Sequence, residues 1–65
     1  VIVLHRLTGY PVIVNADLIE TVESSGDGET VVTLTTGNVL IVGETPQAVC
    51  DAAIAYRRSI AHGIG

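Results

Sequence analysis

Short runs of Val, Ile, Leu and Thr, each closed by Gly, Asn or Asp, occupy residues 1–42 of this chain. Such punctuation is the signature of short strands joined by tight turns. Five strands are expected, over residues 1–7, 11–15, 18–24, 30–35 and 38–42. The turns fall at Thr8-Gly9, Ala16-Asp17, Ser25-Gly26-Asp27-Gly28 and Thr36-Gly37, which put Gly where positive φ costs little. Successive strands should therefore pair antiparallel. Thr45-Pro46 then opens a helix, with Thr45 capping free N–H groups and Pro46 at the first helical position, where a donor is not needed. The helix is expected over residues 46–61. Val49, Ala52, Ala53, Tyr56 and Ile60 share one apolar stripe, Asp51, Arg57 and Arg58 stay in water, and His62-Gly63 supplies a favourable terminal charge and a stop. The fold class is mainly β with a C-terminal α-helix, the strands forming a small antiparallel sheet or barrel in one domain, residues 1–65.

A chain of 65 residues buries only roughly 60% of the surface it exposes when unfolded, so its core is small. Such scaffolds gain stability from disulfides, a metal or a partner chain. Cys50 is the one cysteine, and with only His5 and His62 beside it the ligand number and spacing of a zinc site are missing. No metal or cofactor is expected, and a partner chain is the expected staple. The chain is 48% hydrophobic with mean hydropathy +0.54 and has no Trp, Phe or Met, so its interior is built from Val, Ile, Leu and Ala. Its longest apolar runs, residues 1–4 and 39–42, fall far short of the ~20 residues of a membrane-spanning helix. Nothing at the N-terminus resembles a secretory signal, and cytoplasmic residence is expected.

Strand patterning points the same way. Only residues 30–35 come close to alternation, with Val32 and Leu34 on one side and Val31, Thr33 and Thr35 on the other. The first, second and fifth strands are apolar on both faces, and a single helix covers only one face of a sheet. Either the strands curl into a barrel or the second face meets another subunit. A homo-oligomer is expected.

Candidate chemistry is sparse. The carboxylates Asp17, Glu20, Glu23, Asp27, Glu29, Glu44 and Asp51 are scattered over several elements, without the convergent pair that general acid–base work needs. Asn15 and Asp17 sit at a corner where such side chains fold back onto the backbone. His5 and Cys50 are read as packing residues, since nothing in their spacing lowers a thiol pKa or orients a base. The glycines match neither a Walker loop nor a dinucleotide fingerprint. No enzymatic activity is expected. With seven acidic residues against Arg6, Arg57 and Arg58, the net charge of −4 disfavours a phosphate backbone as partner.

The residue order is nevertheless distinctive. Arg6-Leu7-Thr8-Gly9, Asn15-Ala16-Asp17-Leu18-Ile19-Glu20, Val22-Glu23, Thr33-Leu34-Thr35-Thr36-Gly37, Val42 with Glu44-Thr45, and Tyr56-Arg57-Arg58 together resemble the FlbD family, which includes the SwrD swarming-motility proteins. The likeness covers nearly the whole chain, and residues 15–20 are its most distinctive part. It implies a short cytoplasmic protein that supports flagellar motility by raising motor power, through binding at the cytoplasmic side of the motor or stator. Arg6, Asn15, Asp17, Glu20 and Glu44 are the polar positions of the matched motifs and hence the candidate partner-binding residues. Their structural alternatives are corner formation for Asn15 and Asp17, an ion pair between Arg6 and Glu20, and a favourable charge at the helix N-terminus for Glu44. Where the family has a short Pro-Asp-Thr turn, this chain has the longer residues 24–30. A weaker, architectural likeness is to the CsrA-type RNA-binding translational regulators, intertwined dimers of five strands and a helix, whose binding surfaces are basic as this chain is not.

Overall fold

The computed structural model describes residues 1–63 of the chain, with side chains through Ile60. Five strands precede one helix: β1 (Ile2–His5), β2 (Pro11–Val14), β3 (Ile19–Ser24), β4 (Thr30–Leu34), β5 (Val39–Val42) and α1 (Pro46–Gly63). Each strand is shorter than the span expected for it, because the turns recruit flanking residues. Arg6 and Tyr10 close the first hairpin, with Gly9 N–H donating to Arg6 O at 2.8 Å and Arg6 N–H to Tyr10 O at 2.9 Å.

The strands form two antiparallel sheets, β1-β2 and β3-β4-β5. The expectation that every successive pair of strands would join fails between β2 and β3. There a 3₁₀ turn at Ala16–Leu18 carries the chain from one sheet to the other. Asn15 caps it, its side-chain oxygen accepting from Asp17 N–H at 3.0 Å, and Ala16 is buried beneath it. The sheets meet again at the opposite corner, where Arg6 bridges Val42 antiparallel and Gly43 N–H donates to His5 O at 2.8 Å. Two small sheets hinged in this way stand in place of a closed barrel.

The β3–β4 loop is ordered by its own polar groups: Ser25 N–H and Oγ–H both donate to Glu29 O. Gly26 and Gly28 hold φ of +92° and +81°, which side-chain-bearing residues rarely adopt, and so permit this longer loop.

Inner faces of both sheets and the start of α1 enclose the core, with Ile2, Leu4, Val14, Ala16, Val32, Val42 and Val49 buried among the described residues. Thr45 caps α1 as expected, its Oγ accepting from Ala48 N–H at 3.1 Å. The apolar stripe is shorter than its sequence pattern. Val49 is fully buried, Ala52, Ala53 and Tyr56 are half-buried against the core, and Ile60 is exposed. A helix of 18 residues is about 27 Å long and outruns two sheets of four- to six-residue strands. The radius of gyration, 12.0 Å, accordingly exceeds the ~10.7 Å of a compact chain of this length. The helix continues through Gly63, past the expected end at residue 61, and Gly63 is its last residue rather than a stop beyond it. The terminal charge assigned to His62 lies outside the described side chains. No helix among the described residues is long and apolar enough to cross a membrane.

Candidate functional site

Polar side chains gather at the two corners where the sheets meet. At the first, β5 ends at Val42 and the chain turns through Gly43 and Glu44 into the helix, alongside the end of β1. Glu44 reaches back across that junction. Its Oε1 accepts from His5 N–H at 2.9 Å, and its Oε2 lies 2.7 Å from His5 Nδ1. An ionised carboxylate only accepts, so His5 carries its proton on Nδ1 there. Buried Thr30 donates its hydroxyl to Glu44 O, which ties β4 to the same residue. Partial burial pushes the Glu44 carboxyl up. The hydrogen bonds from the His5 side chain and backbone and from its own backbone N–H, with attraction to the imidazole, outweigh that and hold it below the usual carboxylate range. Arg6 is exposed one residue along.

His5 is thus not the packing residue its apolar neighbours suggested. Strand alternation turns it away from buried Leu4, and it is about half exposed. Nor does Glu44 act merely as a charge near the helix start, since its carboxylate is engaged by His5.

At the second corner the turn expected of Asn15 and Asp17 is present, and Asp17 Oδ1 lies 3.9 Å from Arg57 Nη2 of α1. Both partners are well exposed, so this pair contributes little to stability. Beneath it runs an apolar groove of about 300 Å³ between β3 and α1, lined by Ala16, Ile19, Val22, Cys50, Ala53 and Ile54 with Arg57. Cys50 is exposed on this groove and is not the packing residue expected of it.

Glu20 lies between the corners at an irregularity in the β3–β4 register, where Ile19 faces Leu34 but Thr21 faces Thr33. Glu20 is the extra residue of this bulge, and it is exposed. The Arg6–Glu20 ion pair, the structural alternative for these two residues, is not formed: β1 and β3 are not neighbours, and among the described residues the oppositely charged side chains of Asp17 and Arg57 approach each other, while Glu44 is engaged by the His5 imidazole.

The candidate residues therefore fall in three places: Arg6 and Glu44 at one corner, Asn15 and Asp17 at the other, and Glu20 in the bulge. His5, Thr30 and Arg57 join them without having been named as binding candidates. The His5–Glu44 contact spans 39 residues and crosses from a strand to a loop, so no local pattern announces it. Among the described residues no three His, Cys, Asp or Glu side chains are grouped to hold a metal ion.

The family model for FlbD, flagellar and swarming motility proteins, matches residues 1–61. No curated protein and no solved structure matches the chain.

Proposed function

Because this chain belongs to the FlbD family of flagellar and swarming motility proteins, we propose that it is a non-enzymatic accessory that supports flagellar motor power by binding a cytoplasmic part of the motor, such as the stator. The observation that carries this reading is the family match over residues 1–61. The side chains favour binding as the mode of action. Arg6, Asn15, Asp17 and Glu20 are exposed on turns and a bulge held by the two sheets, where polar groups confer partner specificity that buried aliphatics cannot. Glu44 belongs to the same reading as the residue that fixes the corner beside Arg6. In this reading the protein works at the cytoplasmic face of the membrane as a homo-oligomer.

Deletion in the source organism tests the proposal. Swarming should slow while filaments are still built, and expression of the chain in trans should restore it. Loss of filaments would instead assign it to assembly, and unchanged swarming would remove the motility role.

A further inference from the structure

The turn that joins β1 to β2 is unlike the other two hairpin turns of the chain. Turn positions favour Gly, Pro, Asn, Asp and Ser, which bend the backbone and stay in water. The β3–β4 loop, Ser25-Gly26-Asp27-Gly28, and the β4–β5 turn, Thr35-Thr36-Gly37-Asn38, follow that rule. The β1–β2 turn instead sets Leu7 at its bend, 54% exposed, and Tyr10 at its exit, 73% exposed, and neither belongs to the core. The hydrogen bonds from Gly9 N–H to Arg6 O and from Arg6 N–H to Tyr10 O need only backbone, so the fold itself does not call for Leu or Tyr here. Those bonds also fix the tip in advance, so seating it in a partner costs little ordering entropy.

Charge names the kind of partner. Residues 1–14 hold Arg6 and no carboxylate, whereas residues 15–45 hold six acids and no Lys or Arg. Arg6 is exposed beside the turn, Glu44 at the same corner is held by His5, and among the described residues Arg6 forms no ion pair. The tip is thus a cationic, apolar projection on an otherwise acidic chain. From this geometry we infer that the Arg6–Tyr10 tip seats in a pocket of a partner protein that is apolar at its base and rimmed by carboxylates. The carboxylates pair with the Arg6 guanidinium and the base covers Leu7 and Tyr10; Tyr and Arg are the residues enriched where binding energy concentrates in protein interfaces. An anionic membrane fits less well, because one Arg attracts it weakly while the acids of residues 15–45 are repelled. The inference rests on the binding mode in the reading above and names the surface and the partner chemistry, not the motor part.

The test places photoreactive benzoylphenylalanine at position 10 of the chain in cells lacking the gene, with the same group at positions 27 and 54 as controls. Irradiation should join the position-10 probe to one protein other than this chain, at a peptide carrying Asp or Glu among aliphatic residues. Arg6→Glu in the same chain should cut that yield at least 10-fold, and the two control positions should give at least 10-fold less of the adduct. Leu7→Asn and Tyr10→Ser, with melting temperatures unchanged, should slow swarming as the deletion does. Equal adduct from the controls, an adduct only to a second copy, or none from position 10 overturns this surface. So does binding of the chain to phosphatidylglycerol–phosphatidylethanolamine vesicles that Tyr10→Ser abolishes, which assigns the tip to a membrane. Slow swarming in the deletion strain with full rescue by both variants overturns the tip and leaves the motility role. Normal swarming in the deletion strain removes that role, while the position-10 adduct still supports the tip.

Discussion

Glu44 grips His5 twice, through the backbone N–H at 2.9 Å and through Nδ1 at 2.7 Å, and in doing so fastens the end of β1 to the entry of α1. Its lowered carboxyl pKa carries a sign. A folded-state value below the unfolded value near 4.5 stabilises the fold above that pH, and the contribution is lost as pH falls through the folded value. Glu44→Gln should thus lower stability at pH 7 by about 1 kcal/mol, as expected for a charge-assisted hydrogen bond with partial solvent access. The deficit relative to the native chain should shrink below pH 4.5, and urea unfolding at pH 7, 5 and 3 measures it. A constant deficit across that range would mean that the contact acts through shape and not charge.

Thr30 offers a second test of the same junction. Its side chain is buried and its hydroxyl donates to the Glu44 carbonyl. Thr30→Val keeps the shape and leaves that carbonyl without its partner, which should cost about 1 to 3 kcal/mol by chemical denaturation. An unchanged midpoint would indicate that water replaces the hydroxyl.

The helix should be anchored by its first turns. Val49 has no exposed surface, so Val49→Ala should cost about 2 kcal/mol. Tyr56 is only half-buried, and Tyr56→Ala should fall below the ~3 to 5 kcal/mol of a fully buried aromatic. Thermal unfolding of both variants decides the order. If Tyr56→Ala proves the more damaging, the second half of α1 is docked against more than this chain's own sheets.

Much of this fold is legible in the sequence because its signals are local. Gly at the turns, Thr45-Pro46 at the helix start and Asn15 at its corner each act within a few residues, and all three do what their chemistry suggests. What escapes a local reading depends on contacts made far along the chain. The step from β2 to β3 looks like another hairpin turn, and only the 3₁₀ geometry of Ala16–Leu18 separates the sheets. His5 reads as packing because its neighbours are aliphatic, although alternation already turns it outward, and its partner lies 39 residues away. Ile60 keeps helical register with Val49, but the sheets end before the helix does, so register alone does not bury it. Arg6, Asn15, Asp17 and Glu20 are exposed, as polar residues at turns suggest, whereas the partial burial of Glu44 and the division of the five among two corners and a bulge follow from the topology.

The central claim, that this protein raises motor power through its exposed polar surface, is tested most directly by the torque of single motors on tethered cells. Cells lacking the gene should rotate with reduced torque, and the native chain should restore it. Arg6→Glu and Glu20→Lys, both at exposed positions and expected to fold normally by circular dichroism, should fail to restore it although they accumulate to the native level. Normal torque in the deletion strain would contradict the account, and full rescue by both charge reversals would move the contact away from these residues.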